Sequence, residues 1–168
     1  MKNKRQGAFQ GALMSALQKL RSIDKSNKDA VWVAILDVLA WLYNCEQAEK
    51  KSNETSYFMH RDASPEGRTL AGLIWLRGQV IHHQVEVREL VWVPTIVFKS
   101  QAGNWVPVEI RNIKGKTVNF YRPEFKWPKR SGLPNKKPDK RGDDYEMFVQ
   151  DQDLMPPLEQ AARYLISR

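Results

Sequence analysis

Ser64-Pro-Glu-Gly-Arg-Thr-Leu-Ala-Gly-Leu-Ile-Trp-Leu-Arg-Gly-Gln-Val-Ile-His-His-Gln-Val-Glu-Val-Arg-Glu-Leu90 is the stretch whose reading decides the fold. It opens as a helix. Ser64 is a good N-cap, Pro65 suits a first helical position whose N–H would be unpaired anyway, and Glu66 sets negative charge against the positive end of the dipole. Leu70, Leu73, Ile74, Trp75, Leu76, Val80 and Ile81 follow and leave little room for a wet face, so the helix is expected to be buried. Arg77, and then His82 and His83, stand in this apolar context. A guanidinium there needs a partner, whether a carboxylate, a carbonyl or a phosphate from outside. At about 100° per residue His82 lies about 140° round the helix from Arg77 and His83 about 120° the other way. A shared site then needs a swing of the Arg side chain, a frayed end near Gly78, or a second copy of the helix.

Outward from that stretch, Phe9, Leu13, Ala16, Leu17 and Leu20 recur at helical spacing and predict an amphipathic helix over 5–22. A second helix is expected over 29–51, apolar on almost every side in its first half, where Trp32, Leu36, Leu39 and Trp41 surround a lone acid, Asp37. Two buried helices with one ionisable group each, of opposite sign, suggest an Asp37–Arg77 pair. Such a pair is either a salt bridge that fixes helix packing or an acid that orients a catalytic Arg or His. The segment 52–63 is polar and reads as a turn, with His60 on a surface loop.

Beyond Leu90 the pattern changes. Short runs rich in β-branched and aromatic residues, 90–98, 105–110 and 117–121, are separated by turn-forming residues and predict a small antiparallel meander. Pro94 and Pro107 make its strands edge or irregular ones. Residues 122–141 hold eight basic side chains (Arg122, Lys126, Lys129, Arg130, Lys136, Lys137, Lys140, Arg141) against Glu124 and Asp139, broken by prolines, and read as a loop. With Tyr121, Phe125 and Trp127 nearby, that loop is either a nucleic-acid contact, where cations track phosphates and rings stack on bases, or a solvated segment. A last amphipathic helix begins at Pro156 or Pro157, after a segment 145–154 of undefined structure.

The whole is 168 residues, 42% hydrophobic, enough for one domain with a core. A net charge of +8 favours polyanionic partners. Cys45, the only cysteine, excludes an internal disulfide and fits a reducing compartment. With three histidines beside it, a structural metal site is not expected, nor any cofactor. The beginning of the chain is unlike a signal peptide, and the run 30–43 is too short for a bilayer, so a cytoplasmic protein without membrane association is expected.

Arg77 followed by His82 and His83, on a helix that succeeds a Trp-rich helix with an inner Asp37, resembles the HEPN superfamily. The likeness is to small bacterial members, and it covers the helical core. The resemblance implies a mainly α fold: one HEPN-like domain over 1–168, with 5–90 and 156–168 as helical core, 91–121 as a β excursion and 122–155 as basic loop and irregular segment. It also implies a metal-independent endoribonuclease, a toxin or anti-phage defence effector, working on RNA as a homodimer and restrained by an antitoxin or triggered within a defence system. Carried onto this chain, Arg77 clamps phosphate, His82 is the principal acid/base, His83 its helper, and Asp37 the orienter. Members often place Asn or Asp directly after the Arg, where this chain has Gly78. The tyrosine that other members carry two residues after the His is replaced by Gln84 or Val85. The alternative expectation is a non-catalytic HEPN-like dimer that binds nucleic acid or a partner protein through Lys126, Lys129, Arg130, Lys136, Lys137, Lys140 and Arg141. A third is a structural subunit that docks through its β excursion.

Overall fold

The computed structural model describes residues 4–24, 27–52, 54–83, 89–94, 97–99, 105–107, 109–111, 117–119, 121–134 and 137–167. The fold is mainly helical. Its elements are α1 (Lys4–Ser22), α2 (Lys28–Ser52), α3 (Glu54–Asp62) and α4 (Pro65–His83), then β1 (Glu89–Pro94), β2 (Val97–Lys99), β3 (Trp105–Pro107), β4 (Glu109–Arg111), β5 (Thr117–Asn119) and β6 (Tyr121–Lys126), and finally α5 (Lys140–Phe148) and α6 (Met155–Ile166). The chain divides into two compact units, a helical one (Met1–Glu89 with Lys126–Arg168) and a β one (Leu90–Phe125).

In the β unit, β2 pairs with β3 and β4 with β5, both antiparallel, while β1 pairs with β6. Val97 stands opposite Pro107, and Glu109 opposite Asn119. The strands are short, as Pro94 and Pro107 lead one to expect, because proline cannot donate to a ladder and ends β1 and β3.

In the helical unit α4 is the hub and packs against α2, α3, α5 and α6. Its start follows the expected chemistry, with the Gly67 N–H donating to Ser64 Oγ at 3.0 Å. Every residue from Thr69 to Leu76 is buried, and full burial of each of Leu70, Leu73 and Leu76 is worth about 1.5–3 kcal/mol. Gly72 permits this packing, since a Cβ there would lie 2.7 Å from Tyr145 Cα on α5. α1 contributes Leu13, Ala16, Leu17 and Leu20 to the core, as its spacing predicts, and α2 contributes Val31, Ile35, Val38, Leu39, Leu42 and Cys45. α6 inserts Leu158, Ala161, Ala162 and Leu165, with Pro156 and Pro157 in a first turn where no N–H is needed.

Four expectations are corrected. Residues 54–62 form α3 and not a loop, because its inner face is built from Tyr57 and Arg61, four residues apart, and the arginine is matched by acids. Residues 140–148 form α5 and not part of an irregular segment, capped by Asp139, whose side chain accepts from the Arg141 N–H. Phe125 and Trp127 are buried: Trp127 Nε1 donates to the Leu154 carbonyl and its backbone pairs with Gln152 and Asp151, so neither ring is free to stack on bases. Finally, α2 and α4 are not sealed on every side. Val33 is 56% and Ile81 51% exposed, and Arg77, Gly78 and Val80 are half-buried. No helix among the described residues is long and apolar enough to cross a membrane.

Candidate active site on the fourth helix

Arg77 sits where α4 leaves the core. Leu76 before it is fully buried, Arg77 and Gly78 are half-buried, and a Cβ on Gly78 would meet nothing within 4 Å. Open space therefore adjoins the helix at Gly78. The Arg77 Cζ lies 4.1 Å from the ring centroid of Tyr43 on α2. A cation over a ring is worth about 0.5–1 kcal/mol at an exposed site and about 2 when desolvated, and it uses up no acceptor. Among the described residues Arg77 makes no ion pair. Asp37, half-buried on α2, makes none either, so the expected Asp37–Arg77 pair is not formed. What holds Arg77 is an aromatic face, which leaves the guanidinium N–H donors for an incoming oxyanion.

His82 and His83 form the last residues of α4, and their side chains lie outside the described residues. Helix geometry sets the backbone of His82 about 7.5 Å along the axis from Arg77. His60 is separate: it is exposed on α3, with Nδ1 2.7 Å from the Ser56 carbonyl oxygen. No group of three or more His, Cys, Asp or Glu among the described residues is placed to hold a metal ion.

The buried charge that the sequence places at Arg77 is found at Arg61. This guanidinium is 4% exposed and donates to Glu46 at 3.1 Å and, through Nε and Nη2, to Asp62 at 2.9 and 2.8 Å. Tyr57 Oη donates to the same Glu46 oxygen, and the rings of Phe58 and Tyr57 stand 5.0 and 6.0 Å from the guanidinium carbon. Burial pushes the Tyr57 hydroxyl far up, reinforced by the Glu46 carboxylate. Burial also pushes Asp62 up, but hydrogen bonds from Lys140 and Arg61 more than offset this and hold its carboxyl below the usual range. For Arg61 burial acts downward, and the Asp62 and Glu46 carboxylates overcome it and raise the guanidinium pKa. This set of charges ties α2, α3 and α5 together.

Two of the cations expected to bind nucleic acid are committed to carboxylates. Arg130 pairs with Asp143 and with Glu146 at 3.5 Å, donates to the Lys137 carbonyl, and lies 5.6 Å from the Trp75 ring. Lys140 pairs with Asp62 at 2.6 Å. Lys129 and Lys137 are exposed, Lys126 and Arg141 half-buried, and Lys136 lies outside the described residues. A further pair, Arg68 with the buried Asp144 at 2.7 Å, fastens α4 to α5, with Phe148 4.7 Å from the guanidinium.

Sequence reasoning missed Tyr43, Arg61 and Asp144. For Arg61 the usable signal was Tyr57 four residues earlier; for Tyr43 none stands out among the aromatics of α2. No family model, no curated protein and no solved structure matches the chain.

Proposed function

We propose that this protein is a HEPN-type endoribonuclease of the cytoplasm that cleaves RNA without metal, as a toxin or anti-phage defence effector, with the α4 helices of two protomers lining one cleft. One observation carries the reading. Arg77 is half-buried on the hub helix, next to Gly78, where a side chain would meet open space, and without a carboxylate partner among the described residues, and two histidines end that same helix.

Metal-independent cleavage of RNA is a transesterification. A base removes the 2′-OH proton, the 2′ oxygen forms a bond to phosphorus, and the bond to the 5′ oxygen breaks as an acid protonates it. The products are a 2′,3′-cyclic phosphate and a 5′-OH. Imidazole, with an ordinary pKa of about 6.5, serves either proton transfer near neutrality. His82 takes the principal role and His83 the supporting one. Arg77 grips the non-bridging oxygens and stabilises the added charge of the phosphorane. Asp37 acts as orienter of a histidine across the cleft. An antitoxin or defence-system partner restrains the enzyme between uses.

The non-catalytic reading draws on the basic segment, and the engagement of Arg130 and Lys140 by Asp143, Glu146 and Asp62 leaves it fewer cations. The test is purified protein incubated with total RNA in excess EDTA, wild type beside Arg77→Ala, His82→Ala and His83→Ala. Cleavage by wild type is expected, with a loss of at least about a hundredfold in Arg77→Ala and His82→Ala. Intact RNA with wild type, or equal cleavage by all four proteins, refutes the reading.

A further inference from the structure

Resting on the ribonuclease reading, we propose that the outer strip of α2 beside Arg77 is a track for single-stranded RNA, in which Asn44 and Gln47 select an adenine next to the gripped phosphate and Lys51 holds a further phosphate. Tyr43, Gln47 and Lys51 follow one another at intervals of four residues and so form one ridge along the helix, with Asn44 beside it, three residues before Gln47. Tyr43, Asn44 and Gln47 are half-buried and Lys51 is exposed. The Arg77 guanidinium lies over the Tyr43 ring, so the ridge begins at the candidate site. It runs away from that site for about 12 Å, eight residues at about 1.5 Å each.

The polar groups of this strip are unspent. Among the described residues the side chains of Asn44, Gln47 and Lys51 make no hydrogen bond or ion pair. The two acids between Tyr43 and Lys51 are both committed, Glu46 to Arg61 and Tyr57 and Glu49 to the Gln6 amide. In the other direction, toward the start of α2, lies Asp37, which has no ion-pair partner among the described residues. A polyanion gripped by Arg77 is therefore drawn along α2 toward Lys51 and repelled from the Asp37 end.

The amides select the base. A carboxamide presents a donor and an acceptor side by side, and an adenine edge answers both, its N6–H donating and its N7 accepting. Single-stranded RNA offers such edges because its bases can be splayed out, whereas a duplex buries them between its strands. A span of about 12 Å is the reach of about two nucleotides of extended strand, so Arg77 and Lys51 take phosphates with a base between them at the level of Asn44 and Gln47. The strand that fits is unpaired and carries adenine beside the cut.

The test titrates the full-length protein, in EDTA at low salt, into fluorescein-labelled 2′-O-methyl hexanucleotides of A, C or U, which lack the attacking hydroxyl and stay intact, with anisotropy as readout. Asn44→Ala, Gln47→Ala and Lys51→Ala are compared with wild type after circular dichroism shows equal helicity. Wild type is expected to bind the A oligomer about tenfold more tightly than the other two. Asn44→Ala and Gln47→Ala each cut that preference by about threefold or more and leave the C and U affinities in place. Lys51→Ala weakens all three by about two- to fivefold and lowers the salt slope by about one phosphate contact. Binding of none, equal binding of all three by wild type, a preference that survives both amide substitutions, or indifference to Lys51→Ala overturns the proposal. The two readings fail separately: adenine preference in a protein that never cuts RNA removes the nuclease and keeps the track, and cutting without regard to the base removes the track and keeps the nuclease.

Discussion

Replacing Gly72 by Ala sets two effects of opposite sign against each other. Alanine is better than glycine inside a helix by about 1 kcal/mol, and on that ground alone the variant is stabilised. Position 72, however, is where α4 crosses α5: a new Cβ would lie 2.7 Å from Tyr145 Cα, 2.8 Å from Tyr145 N and 3.1 Å from Asp144 C. All three are backbone atoms and cannot rotate away. Ordinary contact begins at 3.4 Å, so α5 must retreat by at least 0.7 Å from the first of them. That retreat loosens the Arg68–Asp144 pair at 2.7 Å and the Trp75–Tyr145 ring contact at 5.3 Å. Overpacking of this kind costs about 1–3 kcal/mol, and the weakened pair adds to it. The net expectation is a loss of about 1–2 kcal/mol, read as a lower urea midpoint at unchanged slope. Gly11→Ala supplies the contrast, because its Cβ meets nothing and helix propensity acts alone, for a gain of about 0.5–1 kcal/mol. A Gly72→Ala protein as stable as wild type, or more stable, refutes the close crossing of α4 and α5.

Three further outcomes are expected. Glu46→Leu removes one of two carboxylates from a buried guanidinium and strands the Tyr57 hydroxyl, for a loss of about 3 kcal/mol by urea titration, and the double variant with Arg61→Met recovers most of it; a loss under about 1 kcal/mol contradicts the buried network. Asp62, whose folded pKa lies below its usual 3.8, contributes stability that is fully present above that value and disappears as pH falls through the folded pKa. The stability difference between wild type and Asp62→Asn is therefore constant near neutrality and closes below about pH 4, and a difference that widens on acidification shows the sign to be wrong. Tyr43→Leu removes the ring beneath Arg77 and lowers RNA cleavage about tenfold while Tyr43→Phe keeps it, since the π face and not the hydroxyl holds the guanidinium; equal activity of Leu and Phe variants removes Tyr43 from the site.

Much of the helical unit was legible because its longer helices carry strong local signals. Ser64 with Pro65 marks the start of α4 in sequence and in space, and the spacing of Leu13, Leu17 and Leu20 gives the inner face of α1. α3 and α5 escaped for a shared physical reason. Each buries a charged residue (Arg61 in α3, Asp144 in α5), so hydrophobic periodicity is silent, and the burial is made tolerable by partners far along the chain. The same reason explains why an Asp37–Arg77 pair is suggested by the sequence and not formed in space: the polar segment 52–63 reads as a turn, and no hydrophobic periodicity marks Arg61 as the buried cation. At the candidate site the sequence supplies the ionisable groups and their helix, but the contact that holds Arg77 is an aromatic ring, one of several on α2 with no distinguishing neighbour.

Metal-free attack by the RNA's own 2′-OH is the central step of the proposed reaction, and the ends of the products report it directly. A defined RNA and the DNA of the same sequence are incubated with the protein in EDTA, and the fragments are examined by mass spectrometry. The expected result is RNA fragments ending in 2′,3′-cyclic phosphate opposite 5′-OH, with the DNA untouched and both ends absent from the Arg77→Ala reaction. Fragments bearing 5′-phosphate, cleavage of the DNA, or cyclic-phosphate ends still formed by Arg77→Ala contradict it.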